Sequence, residues 1–176
     1  MNIDVNLIRA AKQGDTQSFT TLYEEVAPAL YRTALYTLGN SYDAEDVVSE
    51  TFMEAFHGLA KLRDENAFRP WIYKILSARC KRKIKEYIKG RQTFDIDSVL
   101  NLDDGENMGE KTLQRVDLLR ALEQLSIQER QIVLLSVLEG YTTKEIAHIL
   151  TCPHGTVSSK LYRALKKMRK TIEHEE

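Results

Sequence analysis

The sequence predicts an all-α chain folded as two helical domains, and three observations carry that expectation. Apolar residues recur at three- and four-residue steps nearly everywhere and seldom alternate. Only eight Gly and three Pro punctuate the 176 residues. One stretch without helical period, "DIDSVLNLDDGENMGE", divides the chain and carries acids but no base. The expected boundaries are 1–92 for the first domain, 93–111 for an acidic flexible linker and 112–176 for the second domain.

The first helix is expected near Val5 to Lys12, broken by "QGD". A long one follows from about Ser18 to Leu38, where Phe19, Leu22, Tyr23, Val26, Leu30, Ala34 and Leu38 form a single apolar stripe. In "GNSYDAED", Gly39 and Asn40 suit a helix end, and Ser41 and Asp43 suit the cap of the next helix. Glu45 and Asp46 then lie near the positive end of its dipole. That helix is expected over Ala44 to Leu62. After the polar break "LRDENAF", Pro70 fits a first helical turn and "WIYKILSARCKRKIKEYIK" continues it. Cys80, Ile84, Tyr87 and Ile88 share one face, with Lys81, Arg82, Lys85 and Lys89 on the others. Taken alone, such a basic stretch is an ordinary solvated surface.

The linker accounts for a formal net charge of only -1, since its acids offset basic surfaces on either side. It is either a solvated tether or an occupant of those surfaces.

In the second domain, Leu113, Val116, Leu119, Leu122 and Leu125 mark one helix. "SIQERQIVLLSVLEG" gives another, capped by Ser126 and ended by Gly140, and "TTKEIAHIL" a third. The last begins at Pro153, with Val157, Leu161, Ala164, Leu165 and Met168 as the inward stripe. Thr156, Ser159, Arg163, Lys166 and Lys170 lie opposite. Two short helices joined by a tight turn, the second basic on its free face, fit a helix-turn-helix whose last member enters the DNA major groove. Ser, Thr, Lys and Arg near its start suit base edges, while lysines further along suit phosphates. Thr142 and Thr143 suit the cap of the preceding helix, whose free N–H groups would face a phosphate.

Several classes are excluded or disfavoured. No apolar run approaches the roughly 18 residues of a membrane span, and "MNIDVNLIRAAKQGD" carries charges where a signal peptide is apolar. Cys80 and Cys152 form no disulfide framework, so a reduced, cytoplasmic setting is expected, without membrane insertion. A Gly-rich phosphate loop, a nucleophile elbow and a recognisable catalytic pair are all missing, so no enzyme is expected. Cys152 and His154 lack the second ligand pair of a zinc site, and neither a metal nor a cofactor is expected.

"DAEDVVSETFMEAF", "FRPWIYKILSARCKRKI" and "LSIQERQIVLLSVLEGYTTKEIAHILTCPHGTVSSKLYRALKKM" resemble, in order, region 2.2, regions 2.3 and 2.4, and region 4 of extracytoplasmic-function type sigma factors of the sigma-70 family. The resemblance implies a region 2 helical bundle and a region 4 helix-turn-helix. It implies a sigma factor that binds core RNA polymerase, through the β′ coiled coil and the β flap, and directs promoter-specific initiation. A cognate anti-sigma factor is implied too. For polymerase binding it points to Asp43, Glu45, Asp46, Glu50 and Glu54. Since an acidic helix would be repelled by DNA, a protein partner also makes electrostatic sense.

For melting and capture of the minus ten strand it points to Trp71, Tyr73, Lys74, Arg79, Lys81, Arg82 and Lys85, a mixture of aromatics and cations that suits single-strand binding. A Trp at an apolar helix start is nonetheless expected in the core. For minus thirty-five it points to Thr142, Thr143, Lys144, Thr156, Ser158, Ser159, Lys160, Arg163, Lys166, Lys167 and Lys170. The chain departs from the common family pattern at Ser49, Ala78 and Ser158, where Gln, Asn and a basic residue are frequent. A LuxR-type regulator would also carry a segment like "LSIQERQIVLL", but it would need a sensor in place of the acidic helix and the basic helix with aromatics.

Overall fold

The structure, a computed structural model, describes residues 3–90 and 110–173, without the side chains of 87–90, 110–115 and 173. Residues 93–109 of the expected linker, and the side chains of Tyr87, Ile88, Lys89 and Leu113, therefore lie outside the described residues, whereas Glu110 and Lys111, expected in the linker, already belong to a helix. All regular elements among the described residues are helical.

The first domain comprises α1 (Val5–Lys12), α2 (Thr16–Leu38), α3 (Ser41–Gly58) and α4 (Phe68–Gly90). Asp4 and Asp15 cap α1 and α2 by accepting from the backbone N–H groups of Asn6 and Ser18, a role the sequence reading had not assigned. At the α2–α3 corner, Gly39 takes the left-handed φ of 68° that ends α2. The cap of α3 is Asn40, whose side chain accepts from the Asp43 N–H. Ser41 is the first helical residue, so neither Ser41 nor Asp43 is the cap. The third helix also stops at Gly58 rather than Leu62, tightening into a 3-10 turn over Leu59–Lys61. Gly58 suits that corner, because a Cβ would stand 3.2 Å from the Trp71 ring, a tight contact that the ring would have to relieve by shifting.

The apolar stripe of α2 is buried as Leu22, Val26, Leu30 and Ala34, against Val47, Phe52 and Ala55 of α3 and Ile72 and Leu76 of α4. Each Leu, Ile, Val or Phe among them contributes about 1.5–3 kcal/mol through removal from water, and each Ala about 0.8 kcal/mol.

The second domain comprises α5 (Glu110–Glu123), α6 (Ile127–Val133), α7 (Thr143–Ile149) and α8 (His154–Glu173). Ser126 and Glu129 form a reciprocal capping box on α6, and Thr142 and Glu145 repeat it on α7. The helix expected to run from Ser126 to Gly140 is α-helical only to Val133 and continues as a π-helical turn over Leu134–Leu138. Leu119, Leu122, Ile132, Leu135, Ile146, Val157, Ala164 and Met168 fill the core. Leu165, expected on the inward stripe of α8, is 44% exposed.

The two domains are in contact. α2 and α4 pack against α6, the π-helical turn and α7, giving the two domains a shared seam.

Candidate nucleic-acid interface

In the second domain, α7 and α8 are joined by a turn in which Thr151 holds a φ of 51°, and Pro153 immediately precedes α8. The starts of the two helices are pinned together. His154 Nε2 lies 2.8 Å from the Thr143 hydroxyl and 3.5 Å from that of Ser158. Beyond this junction Ser159, Arg163, Lys166 and Lys170 stand exposed in one row along α8, with Thr156 half-buried at its start. Lys144 is exposed at the start of α7. Lys160 and Lys167 do not share the row. Lys160 bonds Gln128, and Lys167 holds both carboxylate oxygens of Glu129 at 3.0 Å, so these two cations face α6. Thr142 spends its hydroxyl on the capping box with Glu145.

In the first domain the acids of α3 and the cations of α4 interlock. Arg79 spans Glu50 and Glu54, Arg82 also holds Glu50, and Lys83 bridges Asp43 and Asp46. The hydrogen bond to Glu54, opposed by partial burial, is the main reason the Arg79 guanidinium sits above its ordinary pKa. For Lys83, the bond to Asp46 does the same. Four of the five acids expected to meet polymerase are therefore engaged by α4, and only Glu45 has no ion pair among the described residues. Arg79 and Arg82, expected at DNA, are engaged likewise. Lys74, Lys81 and Lys85 remain exposed without an ion pair among the described residues.

The side of α3 turned away from α4 is different in kind. Tyr42, Glu45, Ser49, Met53 and Phe56 are all exposed and follow helical steps, with Met53 at 58% and Phe56 at 57%. Phe56 continues into an aromatic group through Phe19, at a centroid distance of 5.0 Å, and Phe19 in turn meets Phe52. The sequence reading missed Tyr42, Met53 and Phe56. The signal was present as apolar residues on a row that the core-facing stripe of Ala44, Val47, Val48, Thr51 and Phe52 does not use.

The two aromatics expected to capture a strand also separate. Trp71 is half-buried between Phe68 and Gly58. Tyr73, fully buried, stacks edge to face on Tyr141 of the other domain at 5.6 Å. In this arrangement Tyr73 is not available to a base, because the second domain covers it. Burial, with the Glu139 carboxylate nearby, raises its phenol pKa.

Among the described residues, no group of three or more His, Cys, Asp or Glu side chains is placed to hold a metal ion. Cys80 is enclosed, and burial pushes its thiol up to about 12, which leaves it unreactive. No described helix is long and apolar enough to cross a membrane.

Residues 22–91 match the family Sigma-70 region 2, and residues 115–168 match Sigma-70, region 4. The ECF RNA polymerase sigma-E factor of Haemophilus influenzae is 31% identical over 97% of this chain and 95% of its own length. That of Escherichia coli K12 is 28% identical over 92% and 90%. Among solved structures, CnrH in complex with the cytosolic domain of CnrY superposes with a TM-score of 0.73 at 21% identity, covering 98% of this chain and 99% of that one. RpoE in complex with the anti-sigma factor NepR from Bartonella quintana gives 0.71 at 24%, covering 90% and 98%. Both show the same all-α fold. The region 2 match occupies the half of the chain that a LuxR-type regulator would devote to a sensor, which removes that alternative. Two regions in the right order, and a relative that matches end to end, make this chain a member of the extracytoplasmic-function group of sigma-70 family factors, proteins that initiate transcription without enzymatic chemistry.

Proposed function

We propose that this sigma factor docks on core RNA polymerase through the outward row of α3, and that it reads promoter DNA with α4 at minus ten and α8 at minus thirty-five. The domains that do so span 1–92 and 112–176, with 93–111 between them, and act in the cytoplasm. The single observation that carries the assignment is the division of α3 into two faces. The acids at 43, 46, 50 and 54 are occupied by α4, whereas Tyr42, Glu45, Ser49, Met53 and Phe56 stand exposed without an ion pair to α4, and Tyr42, Met53 and Phe56 among them present apolar or aromatic surface. Apolar side chains at the centre of a docking patch supply affinity, and a charge such as Glu45 at its rim supplies steering. The paired acids then act indirectly, by holding α4 in register.

At the promoter, Lys74, Lys81 and Lys85 are the cations of α4 free to meet a strand. On α8, Arg163 is assigned to a base edge, with Ser159 beside it and Lys166 and Lys170 on phosphates. Thr143, Ser158 and Lys144 flank the helix start, where a phosphate is favoured. The solved relatives crystallised with CnrY and with the anti-sigma factor NepR support an anti-sigma partner for this chain as well.

The test is reconstitution with sigma-free core on a promoter fragment. Met53→Asp with Phe56→Asp should abolish holoenzyme formation, because two charges would be buried without partners. Charge reversal at Glu45 should weaken it by less than about tenfold. Normal holoenzyme formation by the double variant would overturn the assignment of this face.

A further inference from the structure

His154, the first residue of α8, stands exposed where the starts of α7 and α8 meet. Its Nε2 lies 2.8 Å from the Thr143 hydroxyl and 3.5 Å from that of Ser158, so one nitrogen anchors the ring to both helices. The other nitrogen, Nδ1, has no hydrogen-bond partner among the described residues. The surface beside the ring is open, since a Cβ built on Gly155 would meet nothing within 4 Å. Ser158, one turn on, offers a hydroxyl and no charge, and Lys160 is turned to Gln128 of α6. The first cation on the outward row of α8 is therefore Arg163, and the start of the helix has no cation of its own unless His154 supplies it.

Of the elements packed against α8, α7 carries Lys144, Glu145 and His148, α6 carries Glu129 and Arg130, and the described side chains of α5 carry Asp117, Arg120 and Glu123. Cys152 is the titratable group of the intervening turn. Glu145 is held by Thr142 and Glu129 by Lys167. No carboxylate among the described residues pairs with the His154 ring, so its charge is left for a partner to satisfy.

We infer that His154 is a further promoter contact: as an imidazolium it donates from Nδ1 to a backbone phosphate at the edge of the minus thirty-five element, while Nε2 donates to the Thr143 hydroxyl oxygen. This inference rests on the assignment of α8 to minus thirty-five. Imidazole is the side chain whose charge ordinarily changes between about pH 5 and 8. A cation at a helix start is disfavoured by the dipole and an anion is favoured, so an arriving phosphate brings the charge that an imidazolium there needs. Binding then takes up a proton. The sign follows: the charged ring holds phosphate more strongly than the neutral one, so its contribution is fully present at low pH and is lost as pH rises through the imidazole range. A contact of this kind adds affinity and salt dependence without choosing a base.

The experiment uses the full chain assembled with sigma-free core, on a duplex that this holoenzyme enriches from a random-sequence library. Dissociation constants are measured between about pH 5.5 and 8.5 at several salt concentrations for the wild type, His154→Gln, His154→Lys and His148→Gln. The ratio of wild-type to His154→Gln affinity should rise about five- to tenfold from pH 8 to pH 6. The wild-type salt slope should exceed that of His154→Gln by about one unit at low pH and match it at high pH. His154→Lys, with a charge that persists, should keep the tighter binding at pH 8. His148→Gln should follow the wild type throughout. A ratio that stayed constant with pH would overturn the inference, because a ring that only braced Thr143 and Ser158 would be missed equally at every pH. A pH profile lost in His148→Gln and kept in His154→Gln would overturn it as well. If the holoenzyme enriched no sequence, or if Arg163→Ala left its preference intact, the assignment of α8 would fail instead.

Discussion

Two arginines, Arg79 and Arg130, show how differently one side chain acts in the two polar networks of this molecule. Arg79 belongs to a ladder on the surface of the first domain, where its side chain is 26% exposed and its carboxylate partners are shared with neighbouring cations. Arg130 is enclosed between the domains and meets three backbone carbonyls that have little access to water. Burial pushes its pKa down to about 10, with the charge of Glu123 pulling the other way, so it stays charged at neutral pH. Surface ladders fix register at little energetic gain, whereas a buried cation among carbonyls holds two elements together, because its removal strands groups that water cannot reach.

The largest expected effect breaks the buried side of that contrast. Arg130→Met keeps much of the volume but takes the Arg130 donor from Leu125 O and Thr37 O, and leaves Leu122 O with only the Leu125 N–H. At about 1–3 kcal/mol for each stranded group, partly offset by relaxation and water entry, the chain should lose about 3 kcal/mol or more. Urea denaturation should show this loss to be nearly the same at low and high salt, since a buried group is poorly screened. A cost under about 1 kcal/mol would mean that the seam is wet and that the two networks do not differ in kind.

Legibility in the sequence follows the same division between local and distant partners. Helices with long stripes, such as α2, were readable because the 3.6-residue period depends only on neighbours, and so was Ser126 as a cap with Glu129 three residues on. Asn40 and Ser41 are both good caps by chemistry, and only the backbone turn after Gly39 decides between them. That Asp43, Asp46, Glu50 and Glu54 share a row on α3 is visible from their spacing. That this row faces Arg79, Arg82 and Lys83 is set by how α3 crosses α4, which no local pattern states. The burial of Tyr73 was still less accessible, since its cover comes from Tyr141, far along the chain. On α8 the outward row was legible, but the contacts of Lys160 with Gln128 and of Lys167 with Glu129 were not, because a basic residue shows its charge in the sequence and not its neighbour.

An intermediate case sharpens the comparison. Glu129 is 10% exposed in its side chain but pairs with Lys167, which is 50% exposed, and it also accepts from the Ser126 backbone N–H and hydroxyl. Burial works to raise its pKa, and the bonds to Lys167 and Ser126 outweigh it, so the carboxyl lies below its usual range. Glu129→Ala should cost about 1–2 kcal/mol, mostly through loss of the capping box. The sign with pH is fixed by the depressed value. The stabilisation is fully present above the unfolded carboxylate value of about 4.3 and is lost as pH falls through the folded one. Thermal melts of both chains should therefore draw together as pH falls through the depressed folded value, and a gap that persisted in strong acid would assign the effect to packing.

The smallest effect tests the exposed ladder itself. Arg79→Ala removes donors from Glu50 and Glu54, yet Glu50 keeps Arg82 and Glu54 is 48% exposed, so no buried charge is stranded. The expected loss is under about 1 kcal/mol and should shrink as salt screens the pairs. Arg79→Ala with Arg82→Ala should cost more than the sum of the two, because only the double change leaves Glu50, 23% exposed, with neither of its cations. Urea denaturation of the single and double variants at two salt concentrations measures both the sum and its departure from additivity. Additive losses would mean that the three groups act as independent surface pairs. A single-variant loss as large as that of Arg130→Met, and equally deaf to salt, would show that α3 is clamped to α4 as firmly as the two domains are clamped to each other.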